Sequence, residues 1–324
     1  MKEIILLEEG LKIMEEAIVM AKKIMEGYPE TKFTPAEYMK FHTCAYAMCI
    51  QRPSYAMHLY ERYKSALEET ITYTVLPALV DKHDVLLLTE LVPLWSNYKV
   101  MAKWLSRFFG YLDRYFTTRK DLASLNDVCV NCFRVRVCHE LHGKFRNAAI
   151  SLINQERDGM QIDRELLKNV LDFFVDMEEQ GKINYYEDFE QVMLSDTADY
   201  YSQKASEWIL NDSFAEYILK ADWCLNQEKG RACHYLFRTG IEKLLEVVKF
   251  QLLAQTASKL IEKQQAEGHN MAANYQVAAN YQELLSKYAS LNLEEEKLCI
   301  KESAASTSYY QCIAYPERDL YRSR

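Results

Sequence analysis

The chain has 324 residues, 49% of them hydrophobic and 27% charged, yet it contains only 9 Gly and 6 Pro. So few turn-formers exclude an all-β chain, which needs a turn every ~8–12 residues, and the apolar fraction excludes a disordered or collagen-like one. With 39 basic and 47 acidic residues the net charge is -8, so nothing overall attracts phosphate and no nucleic-acid partner is expected.

Helical periodicity runs almost from end to end, with breaks at Gly27 to Pro35, Gln51 to Ser54, Lys82 to Asp84, Arg119 to Asn126, Asp158 to Gln161, Glu178 to Ile183 and Asn211 to Ser213. About ten helices follow, joined by short loops as antiparallel neighbours in a helical array. The clearest start is Thr34-Pro35-Ala36-Glu37: a Thr N-cap, Pro in the first helical position, and Glu placed to bond back to the cap. Phe33 and Tyr38 stand where a hydrophobic staple would clamp that end. A second start is expected at Asp163, ahead of Leu166 to Leu171. After about Gln264 the pattern changes. Ala272-Ala273-Asn274-Tyr275-Gln276 recurs as Ala278-Ala279-Asn280-Tyr281-Gln282, one further helix is expected at about Val277 to Leu291, and the last residues read as a poorly ordered tail.

Two helices carry more than a core requires. At about 100° per residue, the helix after Thr34 has one stripe of Phe41, Cys44, Ala45 and Met48, the usual width for packing inward. A second stripe holds Tyr38, His42, Tyr46 and Cys49, with Met39 beside it, and the two together span roughly 220°. Such a helix is either sandwiched between two neighbours or presents a partner-binding face, for which Tyr and Met are suited. The helix expected from about Asn97 to Phe116 places Met101, Trp104, Leu105, Phe108, Leu112 and Tyr115 on its apolar arc. Lys99, Lys103, Arg107 and Arg114 share one narrow stripe beside Gly110, bordered by Val100 and Tyr111. A charged stripe is commonly only a solvated face; with apolar borders and a Gly gap, this one also suits an acidic, partly hydrophobic partner held in a salt-sensitive way.

Metal and catalytic chemistry are not expected. Cys129 and Cys132 precede His139 and His142, but only six residues intervene, in a segment that reads as continuous helix, where a zinc finger needs ~12 to reverse the chain. His139 and His142 are also not in the His-Glu-x-x-His spacing. Glu187, Asp188, Glu190, Asp196 and Asp199 lack calcium-loop spacing and read as solvated faces and N-caps. There is no Gly-rich phosphate loop and no nucleophile elbow, so neither a cofactor nor an enzymatic activity is expected. The nine cysteines are odd in number and irregularly spaced, and the acidic N-terminus lacks a secretion signal, which places the chain in a reducing compartment. Even Val85 to Trp95 is broken by Thr89, Glu90 and Pro93, so no membrane span is expected.

Four stretches, in order, carry a resemblance: Tyr38-Met39-Lys40-Phe41-His42-Thr43; Glu156-Arg157-Asp158-Gly159 with Ile162 to Leu171; Tyr186-Glu187-Asp188-Phe189-Glu190; and Asp199 to Ile209. They are similar to the N-terminal region of cullins, the plant cullin-1 group above all, over about Leu7 to Lys263. The resemblance implies an all-α, elongated stalk of two five-helix cullin repeats, residues 1–148 and 149–263, followed by a divergent, partly disordered tail over 264–324. Cullins scaffold multisubunit ubiquitin ligases, so it also implies a non-catalytic SCF scaffold fragment, cytoplasmic and/or nuclear, linked to ubiquitin-dependent protein catabolism. In the cullin-1 group a Skp-type adaptor with its F-box protein is gripped by the second and fifth helices of the first repeat, which match the two helices above. Tyr38, Met39, His42 and Tyr46 carry over as apolar anchors, and Lys103, Arg107, Tyr111 and Arg114 as the facing surface. His42 stands where the family commonly has Tyr. Past Lys263 the chain is expected to leave the family pattern and to lack the half that holds the RING subunit, so no RING partner is expected and the chain would compete with full cullins. The alternative is a helical-repeat protein, or degenerate-gene product, that has lost adaptor binding.

Overall fold

A computed structural model describes residues 4–27, 33–178 and 184–267. The helix expected at Val277 to Leu291 and the tail after it lie outside the described residues. Among the described residues every regular element is a helix, and the chain divides into two compact units, Met1–Gln191 and Val192–Arg324.

The first unit holds α1 (Leu7–Lys22), α2 (Pro35–Ile50), α3 (Ala56–Thr70), α4 (Leu76–Val80), α5 (Asp84–Phe108), α6 (Thr118–Lys120), α7 (Leu125–Phe133), α8 (His139–Arg157), α9 (Arg164–Asp176) and the start of α10 (Tyr185–Asn211). Wider π-helical turns at Ile71–Val75, Leu112–Thr117 and Arg134–Cys138 lead into α4, α6 and α8. At the centre is α5. Its buried residues Leu87, Leu91, Leu94, Tyr98, Met101, Leu105 and Phe108 alternate steps of four and three, with Leu88, Trp95 and Ala102 beside them. That spacing, broadened by the adjacent residues, makes one wide apolar seam, and α1, α2, α7, α8 and α9 all pack on α5.

This helix differs from the one expected at Asn97 to Phe116. It starts at Asp84 and passes through Pro93, which is exposed; the ring's missing N–H and its crowding of the preceding turn therefore fall on the solvent side, away from the seam. It ends at Phe108, and Tyr111 and Arg114 are displayed from the π-helical turn region beyond it.

Buried polar groups tie the helices together. The Tyr63 hydroxyl donates to the Leu125 carbonyl at 3.0 Å, the Tyr98 hydroxyl to the Cys129 carbonyl at 3.2 Å, and the Trp95 indole N–H to Asp176 at 2.9 Å. Arg134 donates to the carbonyls of Met177 and Glu178 at 2.7 and 2.9 Å, placing a cation at the C-terminal end of α9, where the helix dipole favours one. Gly10 lets α1 approach α2: a Cβ there would collide with the Met48 side chain.

The second unit holds the rest of α10, α11 (Phe214–Ala232), α12 (Arg238–Lys249), a π-helical turn at Phe250–Ala254, and α13 (Ala257–Glu267). A capping box of Ser213 and Glu216 opens α11. Tyr217 donates to the Leu252 carbonyl at 2.7 Å, and the buried Glu228 accepts from Tyr201 at 2.7 Å and Arg231 at 2.8 Å. The break between α11 and α12, across Cys233 to Phe237, is not marked by Gly or Pro; buried Tyr235 and Leu236 anchor it instead.

Candidate functional site

The capping box expected at Thr34 is formed. Thr34 Oγ accepts from the Glu37 N–H at 3.2 Å, and Glu37 Oε2 accepts from the Thr34 N–H at 2.8 Å. These bonds hold the Glu37 carboxyl below its ordinary pKa. The cap fixes where the chain enters α2, and so where Phe33 lands. Phe33 is buried with ring centroids 4.7 Å from Phe108, 5.0 Å from Trp104 and 6.2 Å from Phe41. Tyr38 also rests on Phe108, at 5.8 Å, so the expected staple partners share one platform on α5.

That platform joins the two helices singled out from the sequence. On α2, Tyr38 and His42 stack with centroids 5.8 Å apart at an interplanar angle of 18°. One turn on, Tyr46 meets Tyr111 edge-on at 5.1 Å, and Tyr111 continues to Tyr115 at 4.6 Å. Met39 is 57% exposed and Tyr46 40%, while Tyr38, His42 and Tyr111 are half-buried. These rings are fixed by neighbours and still open to solvent, a combination that makes apolar groups effective contacts because little rotamer freedom is left to lose. Lys103, Arg107 and Arg114 are exposed on the α5 side, with the Arg107 guanidinium 5.0 Å from the Trp104 ring centroid. A Cβ at Gly110 would meet nothing, so the space beside it is open.

Two members of the expected stripes are engaged within the first unit, Cys49 by burial and Lys99, still exposed, by an ion pair. Cys49 is buried, and its burial pushes the thiol up to about 12. Lys99 turns to Asp176, 2.8 Å away, and lies over Trp95. Conversely, Tyr115, placed by spacing on the inward arc, is 41% exposed. Trp104, also on that arc, is only half-buried and supports Arg107. The π-helical turn at Leu112–Thr117 takes Tyr115 out of the α-helical register on which its assignment rested, whereas Trp104, within α5, stays in that register.

The cysteine–histidine set is dispersed into other roles. Cys129 and Cys132 are buried, which pushes their thiols to about 12 and about 11. His142 faces Asp188 at 2.8 Å, and His139 is exposed. Among the described residues no three His, Cys, Asp or Glu are grouped to hold a metal ion. Of the acidic run, Glu190 is buried rather than solvated, and Asp188 takes hydrogen bonds from His142 and Arg146. No described helix is long and apolar enough to cross a membrane.

Residues 13–306 match the cullin alpha solenoid domain, a range that runs past Lys263, where the chain was expected to leave the family pattern. The chain is 50% identical over 265 residues to cullin-1 of Oryza sativa subsp. japonica, covering 81% of this chain and 36% of that protein. Cullin-2 of Arabidopsis thaliana is 40% identical over 261 residues, covering 80% of this chain and 35% of that one. The chain thus spans about a third of the length of these relatives. Cullin-like protein 3 of Arabidopsis thaliana is 42% identical over 225 residues, which cover 69% of this chain and 88% of that protein. A family match over most of the sequence, together with these identities, makes the chain a member of the cullin family, within its α-solenoid domain.

Proposed function

We infer that this chain is a non-catalytic scaffold element that binds a Skp-type adaptor carrying an F-box protein, through the face formed by α2 and the end of α5. The observation that carries this reading is two ring pairs one turn apart on α2, Tyr38 with His42 and Tyr46 with Tyr111, flanked by the exposed cations Lys103, Arg107 and Arg114. Half-buried aromatics at the centre and charges at the rim are the usual anatomy of a docking face. Met39 and Tyr46 supply apolar area, and the three cations steer an acidic partner. The face lies in the first of two proposed cullin repeats, residues 1–148 and 149–263. Through the adaptor the chain acts in the cytoplasm and/or nucleus and is linked to ubiquitin-dependent protein catabolism.

An adaptor pull-down tests the reading. The wild-type chain is expected to retain a Skp-type adaptor bound to an F-box segment, and a Tyr38→Ala/Met39→Ala variant to lose most of it. Equal retention by the two proteins, or none by either, would favour a helical-repeat protein that has lost adaptor binding.

A further inference from the structure

Of the 6 prolines in the chain only Pro35 follows a Ser or Thr, so Thr34-Pro35 is the single pair of its kind in the sequence. Thr34, Pro35 and Ala36 are all exposed. The Thr34 backbone is extended, at φ -66° and ψ 155°, and the Pro35 ring fixes the φ of the residue after it. An exposed hydroxyl on extended backbone, followed at once by a proline ring, is what a proline-directed serine/threonine kinase reads. Ser213 opens α11 with the same kind of capping box, through Glu216, but Phe214 follows it, so a cap alone does not meet the requirement.

The Thr34 hydroxyl also holds the start of α2. Its Oγ donates to Glu37 Oε2 at 2.8 Å and accepts from the Glu37 N–H at 3.2 Å. A phosphothreonine carries about -1.5 to -2 charge at pH 7 and has no hydroxyl proton left to donate. On Thr34 it would stand against the Glu37 carboxylate and turn that bond into a repulsion. The same charge would arrive at the edge of the cationic rim. Phe33, the preceding residue, has its ring centroid 5.0 Å from that of Trp104, and the Arg107 guanidinium is 5.0 Å from the same Trp104 centroid. A dianion there offsets the positive charge that draws an acidic partner.

We propose that Thr34 is the acceptor of a proline-directed serine/threonine kinase and that a phosphate there weakens the hold of the face formed by α2 and the end of α5 on an acidic partner. In the transfer Thr34 Oγ bonds to the γ-phosphorus of ATP, the bond from that phosphorus to the bridging oxygen breaks to release ADP, and the hydroxyl proton passes to the kinase's general base. The regulatory half of the proposal rests on the adaptor-binding reading; the acceptor half does not.

The test treats the full chain with a purified proline-directed kinase and magnesium ATP, maps the phosphate by tandem mass spectrometry, and titrates the product with a Skp-type adaptor bound to an F-box segment at two salt concentrations. One phosphate is expected, on Thr34, and it should be lost in Pro35→Ala, which keeps both the hydroxyl and a good helix former in the first turn. Phosphorylation should lower adaptor affinity by about three- to tenfold at low salt and by less at high salt. Thr34→Asn keeps a capping side chain but no acceptor hydroxyl, so kinase treatment should leave its affinity unchanged. No phosphate on Thr34, phosphate there that Pro35→Ala does not reduce, or a preference for Ser213 overturns the acceptor assignment. An affinity unchanged by phosphate on Thr34 overturns the regulatory half. An unmodified chain that binds no adaptor refutes the adaptor-binding reading and the regulatory half together, while the mass spectrum still decides the acceptor.

Discussion

Gly10 sits inside α1 with no room for a side chain, because the fully buried Met48 of α2 occupies that space. Gly10→Val is therefore expected to cost about 1–3 kcal/mol through overpacking, read as a lower denaturant midpoint. The loss should shrink in a Met48→Ala background; an equal loss there would place its origin elsewhere. His142 makes a different prediction. Burial holds its imidazole below the ordinary 6.5, with the Asp188 hydrogen bond only partly opposing the shift. The unfolded chain thus takes up the proton at a higher pH than the folded one. This contribution to stability is complete above about pH 6.5 and is lost as pH falls from there through the folded value. The thermal midpoint should decline on acidification from about pH 7 to pH 5, and His142→Gln should flatten that decline; parallel profiles would contradict it. At this scale helical spacing placed Tyr38, Met39, His42 and Tyr46 outside the core but did not give every contact: Lys99 has an acceptor in Asp176, which is distant in the chain, and no spacing rule on its own helix points to it.

Local chemistry made the elements that start with strong caps easy to read. Thr34, Asp163 and Ser213 each accept the backbone N–H three residues on, and the helices expected after Thr34 and Asp163 begin there. The break at Lys82 to Asp84 marks the beginning of α5 even though His83 makes no side-chain cap, but the run from there into the helix expected at Asn97 was hidden because Pro93, a usual helix breaker, is tolerated on the exposed side. The turn after α11 was hidden for the opposite reason: buried side chains hold it with neither Gly nor Pro. The pairing of α2 with the end of α5 also lay beyond periodicity, since it depends on Phe33, Tyr38 and Phe41 converging on Phe108. That convergence makes the two helices one surface, and a double-mutant cycle on Tyr46→Ala and Tyr111→Ala measures how firmly. A coupling of about 0.5–1.5 kcal/mol in folding stability is expected for an edge-on ring pair; strict additivity would mean that the two halves of the face are not joined there.

For the whole chain, composition was enough to give the class: with few Gly and Pro and ample apolar residues, helices are the remaining way to bury a core. Net charge was less informative. A total of -8 coexists with a face whose exposed charges are Lys103, Arg107 and Arg114, so the sign of the whole chain does not set the sign of the surface that meets a partner. Screening separates the two contributions, since exposed charges lose reach once the Debye length falls below ~10 Å near 0.1 M salt, whereas apolar anchors do not. The measurement that bears most directly on the central claim is a titration of the full chain with a Skp-type adaptor bound to an F-box segment, at low and at high salt. The proposed face predicts saturable binding that weakens as salt rises, an Arg107→Ala/Arg114→Ala variant with a shallower salt dependence, and a Tyr38→Ala/Met39→Ala variant weakened by about tenfold or more at both salts. No saturable binding at either salt, or binding that both variants leave unchanged, would contradict it.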